Sequence, residues 1–185
     1  MIFNIDTNLL GNGFKNSRTL LSVSSCGICG KQELNETSTF KDRLKSEVIL
    51  PVPLLYDMFD RMRLQQDDFL RSGGSHAAAA FTVEGELLSL MEDIGRHNAV
   101  DKVIGDLISN GKLADTCCIL VSGRISYEIV AKAYSASIPI LAAVSAPSTL
   151  AVEYAKQFGL TLLGFCRGKK ATCYSNPSRI RNVDN

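Results

Sequence analysis

Two cysteines near the amino end of the chain have the spacing of a working thiol pair. Cys26 and Cys29 form a CxxC pattern flanked by glycines within a polar stretch. Such a pair can supply half of a zinc site, form a redox disulfide, or present a nucleophilic thiolate. Zinc needs four ligands and the sequence has no second CxxC, so no structural metal is expected. A thiolate on a mobile loop is better suited to carrying sulfur from a donor to an acceptor.

Short segments rich in glycine, serine and arginine follow four predicted strands. They are 93–98 (DIGRHN), 122–124 (SGR), 145–148 (SAPS) and 166–170 (CRGKK). Ligands of an open α/β sheet bind beyond the carboxyl ends of parallel strands, where helix N-termini also lie, so these loops are expected to converge on one anion. Each loop alone is more typical of an ordinary turn with surface charge, and it is the succession of four that favours a site. The donors to phosphate or carboxylate would be Arg96, Arg124, Arg167 and Lys169.

Both histidines of the chain border these loops. His76 is predicted at the start of a strand and His97 on the first turn of a helix, where each could act as an acid or base or contact a ligand. A structural hydrogen bond is the alternative for either ring. Asp93 could instead be the N-cap of the following helix. Cys117 and Cys118 are expected to be small core residues on opposite faces of a buried strand.

Hydrophobic periodicity places these positions on alternating strands and helices. The pattern predicts a helix from Pro51 to about residue 64, a flexible turn through 72–75, and a hairpin of strands at 77–83 and 87–91. A helix ending near residue 110 is followed by strands 117–121, 138–144 and 160–165, with helices 126–135 and 149–158 between them. This alternation predicts a layered α/β domain with a mixed sheet at 46–185, preceded by an arm and CxxC loop at 1–45.

The composition excludes some classes of protein. The chain has 185 residues, six cysteines, and 20 Lys plus Arg against 19 Asp plus Glu. A net charge of +1 gives no bulk reason to expect binding to nucleic acid. No apolar run approaches the roughly 18 residues of a membrane span, and the first residues do not read as a signal peptide. The sequence therefore predicts a cytoplasmic protein without membrane insertion.

Six segments carry a more specific indication when they are taken in order. They are 25–30 (SCGICG), 73–78 (GGSHAA), 92–102 (EDIGRHNAVDK), 122–124 (SGR), 145–147 (SAP) and 164–168 (GFCRG). Together they resemble the FdhD family of formate dehydrogenase accessory sulfurtransferases. The resemblance implies a three-layer α/β/α fold of the cytidine-deaminase type, with a mixed sheet and an N-terminal cysteine-bearing loop. An N-terminal β-rich segment of the family is expected to be shortened or absent.

The resemblance also implies a reaction. It predicts a sulfurtransferase that carries persulfide sulfur from a cysteine desulfurase to the molybdenum or tungsten cofactor in its bis guanine dinucleotide form, for formate dehydrogenase. By the family pattern Cys26 is the persulfide carrier and Cys29 its companion. The implied partners are the desulfurase, formate dehydrogenase and a second copy in a homodimer. Two alternatives stay open: a chaperone that binds the molybdenum cofactor without carrying sulfur, and an inactive homologue.

The same resemblance marks Phe165 to Lys170 as the cofactor-binding stretch, and the strand-end loops suit a ligand with two pyrophosphates. A zinc deaminase is excluded, because it needs His-x-Glu and a later Pro-Cys-x-x-Cys, whereas His76 is followed by two alanines. The expected cofactor contacts are His76, Asp93, Gly95, Arg96, His97, Asn98, Ser122, Gly123, Arg124, Ser145, Phe165, Cys166, Arg167, Gly168, Lys169 and Lys170.

Overall fold

A computed structural model describes residues 42–182, which belong to one unit of the chain, Thr39–Asn185. The predicted carrier cysteines, Cys26 and Cys29, and most of the predicted arm 1–45 lie outside the described residues. Among the helices of residues 42–182, none combines the length and the apolar content that a membrane crossing requires.

A six-stranded mixed sheet forms the centre of this unit. Its strands are β2 (His76–Phe81), β3 (Leu87–Asp93), β4 (Cys118–Val121), β5 (Ile140–Ala143), β6 (Thr161–Arg167) and β7 (Lys170–Ser175). Their order in space is β3-β2-β4-β5-β6-β7. Strands β4, β5 and β6 are parallel, whereas β2 with β3 on one side and β7 on the other run antiparallel to their neighbours. Two short parallel strands, β1 (Leu50–Pro51) and β8 (Ile180–Arg181), pair separately.

Helices cover both faces of the sheet. One face carries α3 (Arg96–Ser109), α4 (Tyr127–Ser135) and α5 (Thr149–Phe158), and the other carries α1 (Val52–Leu64). Alternate residues of β4 divide between the two layers, since Ile119 packs toward α3 to α5 and Leu120 toward α1. The expected three-layer α/β/α architecture with a mixed sheet is confirmed.

Local sequence explains where the main helices begin and end. Helix α1 starts directly after Pro51 and has a second proline in its first turn, where the missing N–H would have no helical acceptor. Helix α5 is capped by Ser148, whose hydroxyl accepts a hydrogen bond from the Ala151 N–H at 3.2 Å. It ends at Gly159 in the left-handed conformation.

Three expectations differ from the structure. Residues 67–72, predicted to lead into a flexible turn, form a short helix, α2 (Asp67–Ser72), because the Glu92 carboxylate accepts hydrogen bonds from two N–H groups of its first turn. The predicted loop 166–170 is the tip of a hairpin that leads into β7, a strand the sequence analysis did not predict. Cys117 and Cys118 are both buried but pack in the same α1-side core, because Cys117 precedes β4 and so does not follow its alternation.

Candidate functional site

A cleft of about 650 Å³ opens at the carboxyl end of the parallel strands. The sheet side contributes the first residue of β2, the residues that follow β4 and β5, and the tip of the β6–β7 hairpin. The other wall comes from α1, α2 and the loop that joins α2 to β2. This volume is in the range of sites that hold small molecules, and the location agrees with the strand-end rule used above.

Six of the sixteen predicted cofactor contacts line this cleft. They are His76, Ser122, Cys166, Arg167, Gly168 and Lys169. The remaining ten do not appear in its lining, although several of them support residues that do. The convergence of the loops is therefore partial. His76, Ser122 and the hairpin tip at 166–169 meet at the cleft, whereas the other predicted contacts lie outside its lining.

The hairpin tip is held in place by an unusually close approach of backbones. A Cβ atom added at Gly164 would lie 2.7 Å from Pro147 Cδ and 3.2 Å from the Ser145 carbonyl oxygen, so only glycine fits there. The next residue, Phe165, has φ of +54° and donates its N–H to the Ser145 carbonyl at 3.2 Å. Strand β6 is thus fixed against the loop after β5, and this contact sets the position of Arg167 beside the cleft.

The turn of the hairpin places a cation in a strained backbone conformation. Gly168 and Lys169 both have φ of +58°, which is typical of a two-residue turn of type I′ between strands. Glycine adopts this conformation freely, whereas lysine does so at a cost. The turn exposes its backbone and presents the side chains of Arg167 and Lys169 to an anion at the cleft.

His76 connects the cleft to two further arginines. A Cβ added at Gly123 would lie 3.2 Å from His76 Nδ1 and 3.5 Å from Arg96 Cβ, so these residues are close neighbours. Burial lowers the pKa of His76, and the positive charges of Arg96 and Arg124 lower it further. The imidazole is therefore neutral at physiological pH and surrounded by cations, a setting that favours an anionic ligand.

Several predicted contacts organise the turn between β3 and α3 instead. The Asp93 carboxylate accepts hydrogen bonds from the Gly95 N–H at 2.8 Å and the Asn98 amide at 3.1 Å, and it pairs with Lys102 at 2.6 Å. The hydrogen bond from Lys102, followed by that from Gly95, lowers the pKa of Asp93 to about 2. The N-cap of α3 is Gly95, so the alternative role suggested for Asp93 as N-cap is wrong.

His97 faces α4 rather than the cleft. Its Nε2 is hydrogen-bonded to Ser126 Oγ at 2.7 Å and lies 3.2 Å from a Glu128 carboxylate oxygen. Burial lowers the pKa of His97 despite the opposing effect of Glu128. This geometry matches the alternative of a structural hydrogen bond more closely than a role in the cleft.

No cysteine of residues 42–182 presents a reactive thiolate to the cleft. Cys166 lines it, but burial raises the pKa of its thiol to about 12. Burial also raises the pKa of Cys173, which lies on β7. Cys117 and Cys118 are buried in the core beneath α1. The assignment of Cys26 and Cys29 to the chemistry stays a prediction, because both lie outside the described residues.

The sequence analysis did not identify the second wall of the cleft. It contains Tyr56 and Phe59 of α1, Phe69 of α2, and Gln66 between the two helices. Glu92, which precedes the predicted turn residues, positions this wall by capping α2 and by accepting a hydrogen bond from Ser75 Oγ at 2.7 Å. Glu92 is the first residue of segment 92–102, one of the six that carry the family resemblance, and this position could have marked it as a residue of the site.

A solved structure resembles this fold. A crystal structure of a provisionally assigned formate dehydrogenase accessory protein from Desulfotalea psychrophila superposes with a TM-score of 0.71 at 26% sequence identity. The match covers 79% of this chain and 62% of that chain.

Curated relatives share more of the sequence. Sulfur carrier protein FdhD of Sulfolobus acidocaldarius is 47% identical over 179 residues, covering 95% of this chain and 68% of the relative. The proteins of the same name from Streptomyces avermitilis and Saccharolobus solfataricus are each 46% identical over 88% of this chain, covering 59% and 62% of their own lengths. The chain thus spans 59% to 68% of these three relatives. A model of the FdhD/NarQ family matches residues 3–181, which confirms the resemblance found in the sequence, and the chain belongs to that family.

Proposed function

We propose that this protein carries persulfide sulfur from a cysteine desulfurase to the molybdenum or tungsten bis guanine dinucleotide cofactor, for use by formate dehydrogenase. The observation that carries the proposal is the cleft, which combines cations at the hairpin tip with an aromatic wall. The sulfur part is supported by relatives that are named sulfur carrier proteins. The family resemblance further implies a homodimer and a cytoplasmic location, and both belong to the proposal.

The residues of the cleft suit a ligand that is anionic at one end and flat at the other. Arg167 and Lys169 can donate to phosphate oxygens, and Gly168 allows the backbone to approach them. Tyr56 and Phe59 offer faces on which a heterocyclic ring can stack. A cleft of about 650 Å³ accommodates one nucleotide-sized arm, so a cofactor with two such arms would extend beyond it.

The sulfur steps are assigned to the CxxC pair. The Cys26 thiolate attacks the outer sulfur of the desulfurase persulfide, the sulfur–sulfur bond breaks, and the desulfurase cysteine leaves as a thiolate. Cys26 then holds the persulfide with no net oxidation. Release of sulfide requires two electrons: the Cys29 thiolate attacks Cys26 Sγ, HS⁻ leaves, and a disulfide forms between the two cysteines. A cellular dithiol reduces that disulfide before the next cycle.

The cysteines among residues 42–182 are unsuited to carry a persulfide, and this supports the assignment of the carrier role to the CxxC pair. A persulfide carrier must be accessible and must ionise near neutral pH. Cys166 lies in the cleft, but with a pKa of about 12 its buried thiol stays protonated. The Cys166 sulfur is therefore more suited to packing beneath the hairpin than to accepting a persulfide.

Labelled sulfur tests the carrier role. After incubation with a cysteine desulfurase and [³⁵S]cysteine, the wild-type chain should retain label that a thiol reductant removes. Cys26→Ala should lose that label, whereas Cys173→Ala, a change at an exposed thiol outside the cleft, should keep it. Undiminished label on Cys26→Ala would overturn the assignment of the carrier.

Nucleotide binding tests the acceptor half separately. Arg167→Ala should weaken binding of GDP, measured by calorimetry, while the label on Cys26 is retained. If cysteine variants still restore formate dehydrogenase in a deficient strain but Arg167→Ala does not, the protein acts as a cofactor chaperone without sulfur transfer.

A further inference from the structure

Helix α2 buries no side chain among residues 42–182. All six of its residues are exposed, including Phe69 at 44% and Leu70 at 67%, and neither of these two belongs to the hydrophobic cores. A six-residue helix is too short to be stable by itself, and most helices in proteins are stabilised by packing of an apolar face. The exposed apolar side chains of α2 therefore indicate a surface that another molecule covers.

Hydrogen bonds of its backbone hold α2 in place. The Glu92 carboxylate accepts from the N–H groups of Asp68 at 2.7 Å and Phe69 at 3.0 Å. At the other end, Gly73 is in the left-handed conformation and donates its N–H to the Phe69 carbonyl at 2.7 Å. The helix is thus formed before a partner binds, which reduces the entropy lost on association.

Two further exposed apolar residues flank α2. Leu64, the last residue of α1, is 67% exposed, and Ile94, which lies two residues after Glu92, is 86% exposed. With Phe69 and Leu70 they make up four of the seven large apolar side chains that are exposed among residues 42–182. We call these four residues the α2 surface. A ligand in the cleft would not cover it, because only Phe69 of the four lines the cleft.

The charges of α2 are arranged for pairing with a second copy of the same helix. Asp68 lies in its first turn and Arg71 in its last, and neither side chain forms an ion pair within residues 42–182. In an antiparallel pair of α2 helices related by a twofold axis, Asp68 of one copy meets Arg71 of the other, and each contact occurs twice. The same register places Phe69 against Leu70 of the second copy. The order of acidic, apolar and basic residues is therefore self-complementary.

We infer that the α2 surface is an interface between two copies of this chain, with their α2 helices antiparallel. The inference rests on the proposed function, which includes a homodimer, and it adds the surface and the residues that form it. A stable interface buries about 800 Å² on each partner. A six-residue helix with two flanking residues contributes only part of that area, so association in the micromolar range is expected.

Sedimentation velocity of the full chain over a concentration series tests the apolar contact. Leu70→Asp buries a charge in the interface and should raise the dissociation constant of the dimer at least about tenfold. Ile108→Asp, the same change at an exposed residue of α3, should dimerise as wild type does. Because both side chains are exposed in the monomer, both variants should unfold at the temperature of wild type.

Charge reversal tests the twofold arrangement. Asp68→Arg and Arg71→Asp should each weaken self-association about tenfold, because each brings like charges together twice. An equimolar mixture of the two variants should dimerise as well as wild type, because one copy then carries only basic and the other only acidic residues at positions 68 and 71. Weakened association of both variants without recovery in the mixture would overturn the antiparallel pairing.

Failure of the inference can be told apart from failure of the proposed function. If wild type dimerises and Leu70→Asp and both charge variants dimerise equally well, the interface lies elsewhere and the proposed homodimer stands. If wild type is a monomer at about 100 μM, the inference and the homodimer both fail. Label on Cys26 and binding of GDP report the rest of the proposed function, and both can be measured on Leu70→Asp, whose changed residue lies outside the cleft.

Discussion

The two ends of the central sheet differ in whether their cationic side chains have partners within the protein. At the amino end of the parallel strands, Arg179 is 8% exposed, and its guanidinium donates to the carbonyls of Leu44, Ser46 and Gly159 and to the Thr161 hydroxyl, at 2.7 to 3.2 Å. At the carboxyl end, the side chains of Arg167 and Lys169 line an open cleft and form no ion pair or hydrogen bond within residues 42–182. The first arrangement is complete without a ligand, and the second is not. The buried guanidinium with its full set of acceptors serves stability, whereas cations that lack protein partners at a cleft can bind an anionic ligand.

Backbone strain divides between the two ends in the same way. Asn176 has φ of +46° at the amino end, where its side chain accepts from Arg43 at 3.2 Å and donates to the Leu160 carbonyl at 2.9 Å. At the carboxyl end, Lys169 has φ of +58°, and its side chain forms no hydrogen bond within the described range. Local contacts stabilise the first conformation. The second is of the kind that persists at ligand sites.

The largest expected effect is a loss of stability on substitution of Arg179, at the amino end of the sheet. Arg179→Met removes the guanidinium donors to these four acceptors, of which Gly159 and Thr161 accept buried hydrogen bonds, and should lower the free energy of unfolding by about 3 kcal/mol. Arg181→Met changes an exposed arginine two residues away and should lower it by less than about 0.5 kcal/mol. Urea unfolding of both variants measures the difference. Equal losses would mean that the Arg179 cluster contributes no more to stability than surface charge.

Substitution of Asn176 and of Lys169 by glycine should change the free energy of unfolding in opposite directions. Asn176→Gly relieves the positive φ but loses the side-chain hydrogen bonds, so the free energy of unfolding should fall by about 1 kcal/mol. Lys169→Gly relieves a similar conformation without losing such bonds, so it should rise by about 0.5 kcal/mol. Lys169→Gly should also weaken GDP binding, because a cation of the cleft is removed. If thermal and urea unfolding show the free energy of unfolding changing in the same direction in both variants, the positive φ of Lys169 is not less well supported by local contacts than that of Asn176.

A contrast between local signals and contacts made by packing explains which parts of the structure could be predicted from the sequence. Strands β2 to β6 were predicted because each is an apolar run bounded by turn residues, which are local signals. The rule that ligands bind at the carboxyl ends of parallel strands then placed residues such as His76, Ser122 and Arg167 at one cleft. Strand β7 was missed because three of its six residues are exposed and two more are only partly buried, so it has no apolar run, and it forms by pairing with β6.

The missed residues depend on contacts between distant parts of the chain. Gln66 is buried between α1 and α2 and lines the cleft, and nothing in its neighbours along the sequence indicates this. Glu92 caps a helix that begins 25 residues earlier, a contact that local capping patterns do not describe. Local patterns predict elements well, but whether a polar side chain is satisfied depends on the packing of elements.

The smallest expected effect concerns the pKa values of the two histidines. His76 lines the cleft, whereas His97 packs against Ser126 at the start of α4. Burial lowers the pKa of both below the ordinary value of 6.5, with Arg96 and Arg124 adding to the effect at His76 and Glu128 opposing it at His97. The folded chain thus binds fewer protons than the unfolded chain, so both rings reduce stability as the pH falls below about 6.5.

An anion in the cleft should change only one of these pKa values. Nucleotide phosphate near Arg167 and Lys169 would favour the protonated form of His76, which lines the same cleft, and raise its pKa. His97 is held by Ser126 against α4, so its pKa should stay unchanged. NMR titration of the two imidazole Hε1 signals, with and without GDP, measures both values in one sample. A rise confined to His97 would instead place the anion on the side of α3 and α4, and the cations of the cleft would then not be its binding site.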